Sequence, residues 1–202
     1  MLRVGLTGSI GMGKSATAQL LREAGIPVFD SDAAVHALYA PGGAAVEPVG
    51  RAFPGVVIDG AIDRGRLSEA LKMDPDGFEL LEEIVHPLVS AAREAFIVDE
   101  TASGHDILVF DVPLLFETGG EKRVDAVIVV HAPDEVRRAR VMQRPGMTEA
   151  KLNAIIARQL DDSIKLERAD HRVETSGGIP DAKRQVDEIV KALKARAAET
   201  NS

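Results

Sequence analysis

Eight residues near the start of the chain, Gly8-Ser9-Ile10-Gly11-Met12-Gly13-Lys14-Ser15, carry the spacing Gly-x-x-x-x-Gly-Lys-Ser. Glycines at this spacing let consecutive backbone N–H groups converge on phosphate oxygens, and a helix starting at the lysine adds the positive end of its dipole. Lys14 is placed to reach the β- and γ-phosphates of a nucleotide, and Ser15 to offer a hydroxyl to Mg²⁺. A second constellation is Asp30-Ser31-Asp32, which closes a short apolar run. A carboxylate beside bound triphosphate is electrostatically unfavourable, so one at a strand end near such a loop suggests a chemical role, that of orienting an acceptor hydroxyl and accepting its proton. Asp32 is the candidate for that role and Asp30 its competitor, and either could instead cap the following helix. A third constellation is basic. Arg137, Arg140 and Arg144 fall at i, i+3 and i+7, with Arg138 beside them and Pro145-Gly146 just beyond. Such a segment can close over a triphosphate, exclude water and stabilise transferring charge; a salt-bridged, solvated helix face is the plainer alternative.

A phosphate loop does not name its reaction. No Asn-Lys-x-Asp guanine motif is present, and Asp74-Pro-Asp-Gly77 lies away from any strand end, so a GTPase switch is disfavoured. Asp111 ends an apolar strand, as the acid of a motor ATPase would, and its contact with Mg²⁺ is open between direct and water-mediated. The five histidines lack metal-ligand spacing and read as structural. His86, before Pro87, is a possible substrate contact.

These residues need elements to hold them. Apolar runs at Leu2–Thr7, Ile26–Phe29, Asp106–Phe110 and Ala126–Val130 predict strands, and a short strand is expected at His171–Glu174. Helices are predicted over Lys14–Glu23, stopped by Gly25 and Pro27, over Ala33–Tyr39, over Asp134–Met142 and over Asp181–Ala198. Thr148 reads as the cap of a further helix. Residues 44–103 look different: helical periodicity over Arg66–Met73 and Gly77–Asp99, few strand signals, and Pro87 expected to start or kink a helix. Alternating strands and helices imply a parallel sheet covered on both faces, with every strand-to-helix loop along its carboxyl edge. All three constellations would gather there.

Composition narrows the partners. A chain of 202 residues suits one domain with an insertion, and 45% hydrophobic with 28% charged residues is ordinary for a soluble globular protein. A net charge of −8 and the absence of Trp, with one Tyr and six Phe, disfavour nucleic-acid binding. No apolar run approaches the roughly 20 residues of a membrane helix. Met1–Thr7 reads as a strand rather than a leader, and no cysteine is present, so the cytoplasm is the expected location. The oligomeric state is left open.

These residues resemble the dephospho-CoA kinases. Gly5–Ser15 looks like that family's first strand and phosphate loop. Pro27–Asp32 with His36 resembles its acidic element, Ile62-Asp63-Arg64 with Leu67 its Asp-Arg…Leu element, and Ile84-Val85-His86-Pro87 its Ile-x-His-Pro segment. Asp111-Val-Pro-Leu-Leu-Phe-Glu-Thr-Gly119 is the most specific match, and the likeness covers nearly the whole chain in order. The resemblance implies an α/β, adenylate-kinase-like P-loop kinase fold: a five-stranded parallel sheet flanked by helices, with a helical substrate-binding insertion and a lid. The core would comprise residues 1–40, 104–136 and 168–202, the insertion 41–103 and the lid 137–167. It implies ATP-dependent phosphorylation of the ribose 3′-hydroxyl of dephospho-CoA, the last step of coenzyme A synthesis. Asp32 would be the base, and Lys14 and Arg140 would stabilise the transferring phosphoryl. Gly11, Met12, Gly13, Lys14, Ser15 and Ala16 would cradle ATP, with Arg144 from the lid and Ser176 and Gly177 on the adenine side. Arg64, His86, Leu114 and Phe116 would meet the acceptor, while Leu115 reads as core. The lid departs from the family pattern: Ile155 stands where an Arg is usual, Arg158 directly precedes Gln159, Asp161 replaces a Pro, and Ser163-Ile164 precede Lys165 where acidic residues are common. A kinase for another small acceptor, such as a nucleoside or nucleotide, and a nucleotide-dependent regulatory protein are the competing readings.

Overall fold

The computed structural model describes residues 1–200. In chain order its elements begin with β1 (Leu2–Thr7), α1 (Lys14–Glu23), β2 (Val28–Asp30), α2 (Ser31–Tyr39) and α3 (Val46–Ala52). There follow β3 (Val57–Ile58), β4 (Ala61–Ile62), α4 (Arg64–Met73), α5 (Gly77–Ala102) and β5 (Ile107–Asp111). The chain continues through β6 (Ala126–His131), α6 (Asp134–Met142), α7 (Glu149–Ile156), α8 (Asp162–Glu167), β7 (His171–Glu174) and α9 (Ile179–Thr200). Two compact units result, one of Met1–Phe29 with the residues from Glu100 onward, the other of Asp30–Asp99.

The first unit is built on a parallel sheet ordered β2-β5-β1-β6-β7. β1 pairs in parallel with β5 and with β6, and β6 with β7. β5 is buried at every position and β6 at all but its last, which is why both read as unbroken apolar runs rather than as alternation. Leu20 and Leu21 of α1 and Val186, Val190 and Leu193 of α9 share one core with Val4, Leu6 and Ile128 of the sheet. Leu115 and Phe116 share another with Val127 and Val129. α1 ends as its sequence predicts: the Gly25 N–H donates to Arg22 O and the Ile26 N–H to Leu21 O, at 2.9 and 3.0 Å, the paired bonds of a Schellman stop. The predicted lid, residues 137–167, clusters with this unit.

The second unit has a core of its own, with Tyr39, Val49, Phe53, Val56, Leu67, Leu71 and Val85 among its buried members. It begins at Asp30, earlier than the residue 41 expected from the sequence, because α2 contributes Tyr39, with Val35 and Leu38 packed alongside, to this core. It also holds a small antiparallel pair that the sequence does not announce: Ile58 faces Ala61 across Asp59-Gly60, with φ of 50° and 78°. Two consecutive positive φ values are what a two-residue hairpin turn requires, and Asp-Gly is its usual sequence. α5 runs unbroken from Gly77 to Ala102 with Pro87 inside it, so that proline does not start a new helix.

Candidate active site

The phosphate loop joins the buried end of β1 to the first turn of α1. Gly13 precedes the helix with φ 91°, a left-handed conformation that carries the backbone into the helix axis. Gly11, at φ 79°, is the tighter position: a Cβ there would lie 2.5 Å from Val141 Cγ2 and 3.1 Å from Arg137 O. Glycine is therefore required by both conformation and space. Met12 is 2% exposed, and Ala16 lies in the first turn of α1. The Lys14 ammonium is paired with the Asp111 carboxylate, which is 3% exposed at the end of β5.

The arginines of α6 divide their work. Arg137 is buried, ion-paired to Asp134 and to Asp162, the latter at 2.8 Å. Arg138 bonds Asp134, Glu149 and Asn153 at 2.8, 2.7 and 3.1 Å. Bonds from Arg138 and Arg137 hold the Asp134 carboxyl below its usual range. Arg140 donates to Thr175 Oγ1 at 2.8 Å and to Thr175 O at 2.7 Å, while Thr175 Oγ1 donates to Met12 O at 2.8 Å. Arg140 and Thr175 thus clamp the apex of the phosphate loop to the loop after β7, where Ser176 and Gly177 are exposed. Arg144 is not on the helix, which ends at Met142; it is exposed in the turn that follows. The salt-bridged reading holds for Arg137 and Arg138.

The loop after β5 carries Leu114 (42% exposed), Leu115 (2%) and Phe116 (7%). Leu115 is core, as expected. The Phe116 ring is covered by Arg168, whose guanidinium carbon lies 4.6 Å from the ring centroid. Glu117 meets Lys165 Nζ at 2.8 Å, and its Oε1 accepts the Leu160 N–H at 2.8 Å. Burial raises the Glu117 carboxyl, but the bonds from Lys165 and from backbone N–H groups outweigh it and hold the group below its usual range.

In the second unit, the Asp30 side chain accepts the Ala33 N–H at 2.9 Å and is the cap of α2. Asp32 stands exposed in the first turn, a position that favours negative charge. It lines a cavity of about 250 Å³ with Val35, Tyr39, Val85, His86 and Val89, so this unit brings the two acceptor candidates Asp32 and His86 together on largely apolar walls. Arg64 does not line that cavity but neighbours one of its walls, its guanidinium 5.9 Å from the Tyr39 ring centroid and 3.3 Å from His36 Nδ1.

Among the described residues no cluster of three or more His, Asp or Glu is placed to hold a metal. Magnesium needs none: it keeps several waters and takes one or two protein oxygens beside substrate phosphates. An exposed hydroxyl at Ser15 and the Asp111 carboxylate, brought to the same loop by its pairing with Lys14, are a fitting donor set.

Thr175, Ser9, Glu117 and Asp162 have no individual roles that their sequence positions reveal. The Thr175-Ser176-Gly177 turn is visible in the sequence, but the hydroxyl's bond to Met12 O joins residues 163 apart and leaves no local signal.

A family model described as dephospho-CoA kinase matches residues 2–181. A dephospho-CoA kinase of Rhodopseudomonas palustris strain HaA2 is 53% identical over 192 residues, covering 95% of this chain and 96% of that protein. Among solved structures, a Thermus thermophilus protein superposes with a TM-score of 0.77 at 34% identity, covering 95% of this chain and 97% of its own. A dephospho-CoA kinase of Campylobacter jejuni gives a TM-score of 0.69 at 22% identity, covering 95% of this chain and 96% of its own, a likeness of fold.

Proposed function

Since the chain belongs to the dephospho-CoA kinase family, we propose that it transfers the γ-phosphoryl group of ATP to the ribose 3′-hydroxyl of dephospho-CoA, giving coenzyme A and ADP. Family membership carries the acceptor; the observation that carries transfer rather than mere binding is Asp32. With Asp30 committed to the cap of α2, Asp32 is left exposed beside a cavity, available to an acceptor hydroxyl.

In the reaction, the acceptor oxygen forms its bond to the γ-phosphorus as the bond to the β-bridging oxygen breaks, and that electron pair leaves with ADP. Asp32 orients the hydroxyl and takes its proton. Lys14 exchanges Asp111 for the β- and γ-phosphates, and the N–H groups of Gly11 to Ala16 cradle them. Ser15 and Asp111, directly or through water, would hold magnesium, which would supply positive charge against that developing on the phosphates. Arg140 keeps the loop apex in place and is near enough to it to meet the transferring phosphoryl. Arg144 is the exposed cation that residues 137–167, acting as a lid, would bring to ATP, with Ser176 and Gly177 on the adenine side. His86, Arg64, Leu114 and Phe116 serve the acceptor.

The test is ADP release by a coupled assay with ATP, Mg²⁺ and a panel of acceptors. Stimulation by dephospho-CoA is expected. Turnover on a nucleoside with none on dephospho-CoA would replace the acceptor, and equal basal hydrolysis with every acceptor would replace the kinase reading itself.

A further inference from the structure

Lys165 is the most deeply buried charge among the described residues, at 1% exposure, and the steps of phosphoryl transfer make no use of it. Its Nζ donates to Glu117 Oε1 at 2.8 Å and to Ser9 Oγ at 3.1 Å. With an oxygen lone pair so engaged, the Ser9 hydroxyl turns its proton to Asp162 Oδ1, and Asp162 Oδ2 accepts from Arg137 Nη1 at 2.8 Å. The groups run Arg137, Asp162, Ser9, Lys165, Glu117: cation, anion, hydroxyl, cation, anion. The next turn of chain completes the hold, since Gln159 Oε1 accepts the N–H of Ile10 at 3.1 Å. Both Ser9 and Ile10 belong to the phosphate loop.

Stability alone is a poor reason for this arrangement, because a buried ion pair can commonly be replaced by apolar side chains of similar volume at no loss. What the charges supply is direction. An apolar residue at position 165 would fill the same space but could fix neither the Ser9 hydroxyl nor the loop that follows it. We propose that Lys165 is a positioning residue for nucleotide binding: acting through Ser9, it holds the first half of the phosphate loop in register before ATP arrives. The second half is held separately, by Thr175 and Arg140. An oriented set of N–H groups that need not reorganise binds an anion better than a mobile one. The same bonds tie residues 159–165 to the loop. This inference rests on the kinase reading of the site.

ATP affinity, measured by calorimetry without acceptor, tests it apart from that reading. Lys165→Met and Ser9→Ala should each weaken ATP binding by about tenfold and raise KM for ATP alike, with KM for dephospho-CoA nearly unchanged. The Ser9→Ala/Lys165→Met double variant should bind ATP no more weakly than the worse single, because both act on one relay. Lys165→Arg, which keeps the cation, should recover part of the loss. Lys165→Met leaves the half-buried Glu117 carboxylate without its cation; if it does not fold, Ser9→Ala and Glu117→Gln/Lys165→Met carry the test. Wild-type ATP affinity in folded variants, whatever their melting temperatures, overturns the proposal, as does full additivity in the double variant. Failure of the wild type to use dephospho-CoA would strike the acceptor assignment and leave the binding result standing.

Discussion

Asp30 and Asp32 stand two residues apart at the start of α2 and face different demands. Capping a helix needs a side-chain oxygen on a backbone N–H, which Asp30 supplies to Ala33. Removing it by Asp30→Ala should cost about 1 kcal/mol of stability, read by denaturant unfolding, and leave kcat near wild type. Asp32→Asn should do the reverse, lowering kcat by about 10²- to 10⁴-fold with ATP affinity and unfolding unchanged. Loss of ATP binding in Asp32→Asn would show that the carboxylate serves the nucleotide. Gly11→Ala combines a strained φ with a Cβ 2.5 Å from Val141, so ATP should bind at least about tenfold more weakly, by calorimetry. The roles of Lys14, Ser15 and the two glycines are legible in the sequence because they depend on a local spacing. The choice between Asp30 and Asp32 is not, because it turns on which carboxylate the first N–H of a helix happens to meet.

At the level of elements, the Arg137–Asp162 ion pair joins α6 to α8, and the Lys165–Glu117 pair joins α8 to the loop after β5. Glu117 is held below its ordinary range, so between the folded and unfolded values the unfolded chain binds more protons. The stability it contributes is complete above the unfolded value, near 4.5, and is lost as pH falls through the folded one. Melting temperature should therefore drop more steeply below about pH 4.5 in the wild type than in Glu117→Gln, whose stability at pH 7 is lower from the start. Parallel acid limbs would show that the carboxylate is not preferentially ionised in the fold. Legibility is uneven among these elements. Thr148 announces itself as a cap and accepts the Lys151 N–H at 3.2 Å. α8 does not announce itself, since six residues give too little periodicity. The β3–β4 hairpin is hidden despite its Asp59-Gly60 turn, because two-residue strands show no alternation.

The described residues build two main cores, and the proposed nucleotide and acceptor residues are shared out between them. Hydrogen exchange should show that division: ATP alone should slow exchange through residues 8–17, and dephospho-CoA alone through α2 and the part of α5 around His86. Protection of the first unit only, by both ligands, would remove the second unit from acceptor binding. β5 and β6 are legible because burial on both faces leaves unbroken apolar runs, whereas the boundary at Asp30 is not, because nothing in α2 marks which core Tyr39 will join. The pairing of Lys14 with Asp111 bears on which anions the cradle favours. A cell is crowded with phosphate-bearing solutes, and a bare cation at the mouth of a cradle would detain them all. Matched against its own carboxylate, Lys14 presents little net attraction to a passing anion of one or two charges. A polyphosphate, which meets the N–H groups of the loop as well as Lys14, is better placed than a single small anion to offset the separation of the pair.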